Sequence, residues 1–408
     1  MNIFVVNAGS SSIKYQLFKM PSEKPLCSGL IERIGLEDGL ITHRVFTSDS
    51  ENVIRLTLDI PDHAAGLQEV GRLLTDPESG VIQNPDEIDV VGHRVVHGGE
   101  TFAATTIITP EVKAEIKKLF PLAPLHNPSN YLGIEVAEKT FRKAKQVVVF
   151  DTAFHQSMPE PAFRYALPES FYTDLGIRVY GFHGTSHKYV AKQAVQYLEK
   201  PDAKLVTIHL GNGCSITAVK GNQSLDTSMG FGPLSGLVMG TRSGDIDPSV
   251  IFHLVNQLGY DPEQVNTLLN KRSGMLGLTG FSDMRDITKA IQEGNPAANL
   301  AYDLYAYRIK KYIGSYAAVL NGLDAVVFTA GVGENDPDIR ARVCRDMNFL
   351  GIQLDEEKNQ IRSKELREIN LPKSTVKVLV ISTNEELEIA KQCFELLTPL
   401  TEEKNLTQ

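Results

Sequence analysis

Two arginines sit where packing alone does not explain them. Arg242 lies in Met239-Gly240-Thr241-Arg242-Ser243-Gly244, and Arg94 lies between His93 and His97, beside Gly98-Gly99. A guanidinium can fork onto two oxygens at once, and phosphoryl transfer spreads charge over the oxygens of the moving group. The alternative for either arginine taken singly is an exposed surface residue. Near the start of the chain, Asn7-Ala8-Gly9-Ser10-Ser11-Ser12-Ile13-Lys14 follows the apolar run Ile3-Phe4-Val5-Val6 and precedes Tyr15-Gln16-Leu17-Phe18. The pattern is strand, small-residue turn, strand. Backbone N–H groups and hydroxyls of such a turn can converge on a phosphate. Alternation puts Ser12, Lys14 and Gln16 on one face and Ile13, Tyr15 and Leu17 on the other. The alternative is a serine-rich hairpin with a solvated lysine.

Two carboxylates stand out. Asp151 ends the apolar run Val147-Val148-Val149-Phe150, where burial would be costly without a partner. Glu385 opens the last helix, where an acid is favoured by the helix terminus, or where it could hold Mg²⁺ through water with Asn7 as a second oxygen ligand. His93/His97 and His183/His187 are spaced i,i+4, which on a helix could bind zinc. Neither pair carries the glutamate of HExxH, Gly184 disfavours a helix through the second pair, and the first looks like strand. His183 fits better as a group that stabilises a transferred phosphate. Packed histidines are the reading for His126, His155 and His209. Glycines follow buried strands at Gly9, at Gly211-Asn212-Gly213 and at Gly331-Val332-Gly333. Ligands of α/β folds gather at such strand ends, so a nucleotide touched at several points is one reading and three ordinary bends the other. Neither GxGxxG nor a Walker sequence is present.

The elements that must position these residues alternate between strand and helix, an α/β class. Leu26 to Phe46 reads as further antiparallel strand. Asp62 to Leu74 carries Ala64, Leu67, Val70, Leu73 and Leu74 at helical spacing. Ile88 to Val91 is a short strand, and Thr109-Pro110 opens a helix with Val112, Ile116, Leu119 and Phe120 inward. Pro124 to Pro128 reads as a polar connection. Ser186 is the expected cap of a helix carrying Val190, Ala194, Tyr197 and Leu198. Asp247-Pro248, Asp261-Pro262 and Asp336-Pro337 are helix starts. Asn295 to Leu320 reads as one long helix, with Leu300, Leu304, Tyr307 and Tyr312 among its apolar residues. Strands are expected at Leu205 to His209, Ala325 to Thr329 and Val376 to Ile381, with a terminal helix over Leu387 to Leu397 and a polar, frayed tail beyond. Leu210-Gly211-Asn212-Gly213-Cys214-Ser215-Ile216 echoes the opening stretch, Ser215-Ile216 matching Ser12-Ile13. That is a weak internal repeat, implying two similarly folded halves, or a chance likeness.

The 408 residues suggest two domains. A hydrophobic content of 42% and charged content of 22% are ordinary for a globular protein. No apolar run approaches a membrane span, and no leader is evident, so the cytoplasm is the expected compartment. Cys27, Cys214, Cys344 and Cys393 are scattered, as reduced thiols would be. A net charge of −9 argues against nucleic acid as a partner.

These stretches together resemble the acetate kinase family. Asn7 to Lys14 is similar to its first signature and Gly181-Phe182-His183-Gly184-Thr185-Ser186-His187 to its second. The likeness extends through Gly92 to Gly99, Leu122 to Asn127, Phe150 to Gln156, His209 to Gly213, Asp226 to Gly244, Gly331 to Asn335 and Thr383 to Glu386. The resemblance implies duplicated actin-like ATPase (ribonuclease H-like) domains with a central cleft. Residues 1–151 with 386–408 would form one domain and 152–385 the nucleotide-binding one. It further implies a homodimer that converts ATP and acetate reversibly to ADP and acetyl phosphate, with Mg²⁺ or, in its place, Mn²⁺.

By the same resemblance, Asn7 and Glu385 belong to the metal site, while Ser10, Ser12 and Lys14 face the phosphates. Arg94 binds the carboxylate, with Val96, Leu125, Phe182 and Pro233 around the methyl group. Arg242 and His183 stabilise the transition state, and Asp151 is the catalytic carboxylate. His209-Leu210-Gly211-Asn212-Gly213, Asp283-Met284-Arg285 and Gly331-Val332-Gly333-Glu334-Asn335 hold ATP. The stretch Phe281 to Arg285 is one residue shorter than in many relatives. Val96 and Ala8 are acetate-like where propionate kinases carry a smaller residue and a cysteine. Acetate is already ionised near neutral pH, so Asp151 is expected to position Arg242, metal or water rather than remove a proton. The rival readings are a propionate kinase, a kinase for butyrate, an ATPase using water, and a non-catalytic nucleotide sensor.

Overall fold

Residues 3–6 have no polar side chain and are almost wholly buried, from 0 to 1% exposed. Each large apolar side chain buried this way contributes roughly 1.5–3 kcal/mol, so the run is driven into the middle of a sheet. In the computed structural model, which describes residues 1–47 and 50–398, that run is the centre of β1 (Asn2–Ala8). It pairs antiparallel with β2 (Ser12–Lys19), Ala8 opposite Ile13 and Asn7 opposite Lys14. In β2, Ile13, Tyr15 and Leu17 are buried while Lys14 is exposed and Ser12 and Gln16 are partly so, the faces that alternation requires.

The chain forms two units: residues 1–153 with the chain from Asn384, and Phe154–Thr383. Glu385 therefore sits in the first unit, whereas the sequence reading put it in the second. The first unit is built on β3 (Pro25–Glu32), β4 (Gly39–Phe46), β5 (Glu51–Leu58), β6 (Val90–Val95), β7 (Thr106–Ile107) and β8 (Lys145–Phe150) beside the opening hairpin. Its sheet runs β5-β4-β3-β2-β1-β6-β8-β7. β6 is parallel to β1 and β8 to β6, whereas β7 is antiparallel to β8. The helix His63–Leu74, capped by Asp62, lays Leu67, Val70, Leu73 and Leu74 on one core.

The second unit carries β9 (Lys204–Leu210), β10 (Cys214–Lys220), β11 (Gln223–Thr227), β12 (Ala325–Thr329), β13 (Arg367–Glu368) and β14 (Lys377–Val380) in the order β11-β10-β9-β12-β14-β13. β12 is parallel to β9 and β14 to β12, with β13 antiparallel at the edge. Strand for strand this is the β3-β2-β1-β6-β8-β7 part of the first sheet, so the echo between Ser12-Ile13 and Ser215-Ile216 is a duplicated fold. β4 and β5 are additions to the first copy.

The Asp-Pro helix starts all stand. Asp247, Asp261 and Asp336 accept from backbone N–H groups of the helices Pro248–Asn256, Pro262–Lys271 and Pro337–Cys344. Thr109 caps Pro110–Lys118, so Leu119 and Phe120 lie just past that helix. The long helix spans Pro296–Val319, but its buried face is Tyr302, Tyr305, Ile309, Ile313 and Tyr316, and Leu300 and Tyr307 are exposed. The connection after Pro124 is not simply polar: the helix Asn127–Thr140 starts inside it, with Pro128 in its first turn. The terminal helix is Glu385–Leu397, with Asn384 as its cap. The expected fraying beyond Leu397 concerns the tail from residue 399, which lies outside the described residues. All four cysteines are buried and unpaired. Among the described residues, no helix is long and apolar enough to cross a membrane.

Candidate active site

In each sheet the parallel strands end on the same side, and candidate residues stand at those ends, as expected for α/β folds. In the first unit the turn after β1 is closed by Gly9 N donating to Ser12 O at 2.8 Å, and His63 Nε2 donates to Gly9 O at 2.7 Å. Ser10 is exposed and Ser12 half-buried. Lys14 extends along the same face and meets Glu386 Oε1 at 2.7 Å.

Asp151 follows the last residue of β8 and is fully buried. The partner its burial demands is Arg94, at the end of β6, with Nη2 2.9 Å from Asp151 Oδ2. Arg94 Nη1 lies 3.5 Å from Asn7 Oδ1, and its Nε lies 3.8 Å from Glu385 Oε2. Burial works against the Arg94 charge, but Asp151 and Glu385 outweigh it and hold its pKa above the usual arginine value. The buried Nε of Arg94 makes no hydrogen bond. A buried donor left this way is costly, so the position suits an anion that can accept from it. Burial pushes the Glu385 carboxyl up to about 7; Arg94 opposes this, and the neighbouring Asp151 and Glu386 add to it. Three carboxylates thus face two cations, an excess of negative charge that a divalent cation would relieve. Asn7 and Glu385 offer it hard oxygens, and Mg²⁺ needs only one or two protein ligands when phosphates and water complete its shell. Among the described residues, no group of three or more His, Cys, Asp or Glu is arranged to hold a metal.

The residues that hold this cluster are ones sequence reasoning missed. Asn130, 5% exposed, accepts from Val96 N at 3.1 Å and donates to Ala8 O at 2.6 Å. Asn127 bonds both backbone groups of His97. The unread helix Asn127–Thr140 therefore ties the ends of β1 and β6 together. Two asparagines so close to a proline were the available signal. Val96 is buried, whereas Leu125 is 68% exposed.

In the second unit His183 has φ +56° and stands immediately before the helix Gly184–Leu198. Gly184 therefore opens a helix rather than preventing one, because the strain of the turn falls on His183 and the first helical N–H groups need no partner within the helix. Ser186 is not the cap. It lies in the first turn, with its hydroxyl on His209 Nδ1 and Thr383 Oγ1. The ring edges of His183 and His187 both meet the Ser215 hydroxyl, at 2.9 and 2.7 Å. The His209 ring stacks on His183 with centroids 4.2 Å apart. His93 and His97 go separate ways, to Gln146 Oε1 and to Gly99 N.

Arg242 donates to Pro233 O at 3.1 Å. Among the described residues no carboxylate pairs with it, and burial lowers its pKa. Its loop is pinned by Gly240 N to Asn212 O and by Ser273 N to Thr241 O. Gly274, at φ +60°, passes so close that a Cβ would stand 2.2 Å from Met239 O. Asp245 closes the loop, taking Gly236 N at 2.7 Å and Tyr312 Oη at 2.6 Å. A Cβ placed on Gly213 would meet His183 Nε2 at 3.4 Å and Arg242 Nη1 at 3.6 Å, so the histidine, the arginine and the glycine turn converge. Phe182, beside His183, is buried, and Pro233 is partly buried.

A pocket of about 960 Å³ in this unit is lined by Gly211, Asn212, Asp283, Met284, Arg285, Gly331, Val332 and Asn335, most of the expected nucleotide set. Asp283 caps the helix Met284–Gln292 and pairs with Arg285, whose hydrogen bonds hold the Asp283 carboxyl down at about 2. Leu210 and Gly333 are buried, and Glu334 accepts from Thr383 N at 3.1 Å; none of the three lines this pocket. Thr288, Lys289, Gln292 and Arg362 do line it and were missed, since nothing in their local sequence distinguishes them. A Cβ on Gly331 would meet nothing within 4 Å. Gly331→Ala should therefore leave the thermal midpoint unchanged, as a melting curve would check.

The Acetokinase family matches residues 2–391. A protein named acetate kinase from Flavobacterium johnsoniae is 59% identical over 397 residues, covering 97% of this chain and 100% of that protein. The crystal structure of Porphyromonas gingivalis acetate kinase has a TM-score of 0.91 at 44% identity, over 97% of this chain and 100% of that one. That of a propionate kinase from Francisella tularensis has a TM-score of 0.88 at 39% identity, over 96% and 98%.

Proposed function

The chain belongs to the acetokinase family, and from that premise we propose that it transfers the γ-phosphoryl group of ATP to acetate, reversibly, giving acetyl phosphate and ADP. The observation that carries this is the contrast between the two arginines. Arg94 is already committed to carboxylates yet keeps one buried N–H without an acceptor, whereas Arg242 has no carboxylate partner among the described residues. The first suits the acid and the second the charge that develops on the moving phosphoryl group.

In this reading the acetate carboxylate lies against Arg94, with Val96 and the other apolar residues at its methyl group. One of its oxygens attacks the γ-phosphorus in line, a new P–O bond forms, and the bond to the β–γ bridging oxygen breaks with ADP leaving. No proton has to move, since acetate arrives ionised. Asp151 keeps Arg94 charged and oriented. Lys14 and the hydroxyls of Ser10 and Ser12 meet phosphate oxygens. Arg242 and His183 donate to the three spreading oxygens, and the 960 Å³ pocket takes the adenosine. Mg²⁺ would be held by Glu385 and Asn7, and it supplies neutralisation of phosphate charge when bound. A homodimer completes the reading; sedimentation equilibrium would test it.

Incubating the protein with ATP, Mg²⁺ and hydroxylamine traps any acyl phosphate as its hydroxamate. Acetate should be the best acceptor, propionate slower, and butyrate slower still, because one methylene in an apolar pocket is worth only about 1–3 kcal/mol. Propionate outrunning acetate would favour the propionate kinase reading. Arg94→Ala should raise the KM for acetate roughly 10- to 100-fold, the value of a charge-assisted hydrogen bond, and an unchanged KM would remove Arg94 from the acid site.

A further inference from the structure

Ser215 has one hydroxyl hydrogen and two histidine partners, and this is where a catalytic histidine meets a buried chain of polar groups. Its Oγ lies 2.9 Å from His183 Nδ1 and 2.7 Å from His187 Nε2. The opposite nitrogen of His187, Nδ1, lies 2.7 Å from Thr207 Oγ1. Thr207, Ser215 and His187 are fully buried, on β9, β10 and the helix Gly184–Leu198. A hydroxyl donates once, so Ser215 can give its hydrogen to only one of the two rings and must accept from the other.

Two arrangements of neutral rings satisfy these three bonds. In one, Thr207 donates to His187 Nδ1, His187 Nε2–H donates to Ser215, and Ser215 donates to His183 Nδ1. His183 then carries its hydrogen on Nε2. In the other, every hydrogen is reversed and Nε2 of His183 is a bare lone pair. The His183 Nε2 edge faces Gly213 and the head of Arg242. A lone pair there would repel phosphate oxygens, and an N–H would donate to them. Which nitrogen of a histidine carries the proton is set by the hydrogen bond made by the other nitrogen.

We propose that Ser215 is a positioning residue for phosphoryl transfer: through the chain Thr207–His187–Ser215–His183 it keeps the His183 hydrogen on Nε2, where the moving phosphoryl group needs a donor. The inference rests on the assignment of His183 to that transfer, but the chain itself is a property of the folded protein without substrate.

The test uses the full chain labelled with ¹⁵N-histidine, in wild type, Ser215→Ala and Thr207→Val. Two-bond ¹H–¹⁵N correlation spectra report which nitrogen of His183 is protonated, with no turnover required. Wild type should show His183 protonated on Nε2, and Ser215→Ala should show a mixture of tautomers. In kinetics, Ser215→Ala should lower kcat roughly 10- to 100-fold, the usual cost of losing the partner that orients a functional imidazole, with both KM values within about twofold. Thr207→Val, which breaks the far end of the chain without touching His183, should lower kcat in the same direction by less. A His183 tautomer unchanged in Ser215→Ala would overturn the proposal, as would a wild-type kcat in that variant. If the wild-type protein makes no acyl phosphate, the kinase reading fails, while the spectra still decide whether Ser215 sets the tautomer.

Discussion

Arg242→Ala should lower kcat for acetyl phosphate formation by roughly 10²–10³-fold or more, with the KM for acetate little changed. Removing one preorganised donor aimed at developing charge costs about that much elsewhere, and phosphoryl transfer depends almost wholly on such electrostatics. The structure makes the effect separable from folding. Arg242 is tied by one hydrogen bond to Pro233 O and a weaker contact to Met239 Sδ, and no carboxylate depends on it among the described residues. Its loop is held independently through Asn212, Thr241 and Asp245. The variant should therefore melt near the wild-type temperature and fail chiefly in turnover. Steady-state kinetics with both substrates varied would check this, and a tenfold rise in KM with kcat intact would move Arg242 from the transition state to ground-state binding.

Asp151→Asn should be damaging in two ways. Asp151 is fully buried and its 2.9 Å pair with Arg94 holds that guanidinium in place. Losing one charge of a buried pair leaves the other uncompensated and costs about 3–5 kcal/mol. Glu385, 3.8 Å from Arg94 Nε, keeps part of the balance, which puts the expected loss of stability near the lower end, about 3 kcal/mol. With Arg94 no longer fixed, turnover should fall at least about 100-fold. Urea unfolding and kinetics measured together would separate the two effects. Near-wild-type turnover with intact Mg²⁺ dependence would end any catalytic role for Asp151. A general base would show itself differently, through an activity limb that titrates with this carboxylate; acetate has no proton to give near neutral pH.

How much of this was legible beforehand follows from where each signal lies. The β1–β2 turn could be read because alternation, glycine and serine are local. So could the three Asp-Pro helix starts, which need only a cap and a fixed φ. The residue classes around Arg94 and Arg242 were visible, but their partners were not. Asp151 advertised that it needed a counter-charge, and only the parallel pairing of β6 with β8 brings Arg94 to it. The duplication was a faint echo of Ser-Ile in sequence and is plain in strand order, because topology survives when side chains have diverged. The helix Asn127–Thr140 hid behind prolines that read as loop, yet Pro128 sits where a helix tolerates it, in the first turn. The long helix gave its length but not its buried face, since Tyr302, Tyr305 and Tyr316 pack inward through their rings while Tyr302 and Tyr312 place their hydroxyls on Asp336 and Asp245. His183 carried the hardest signal to read: its left-handed backbone lets the helix begin at Gly184, ahead of the start that a Ser186 cap implied.

The most direct measurement is a ³¹P NMR time course of the wild-type protein with ATP and Mg²⁺, run with and without acetate. The expected result is acetyl phosphate rising in step with ADP when acetate is present, with no inorganic phosphate beyond slow hydrolysis and no ADP when acetate is left out. Inorganic phosphate appearing in step with ADP, at the same rate with and without acetate, would contradict direct transfer and make the chain an ATPase.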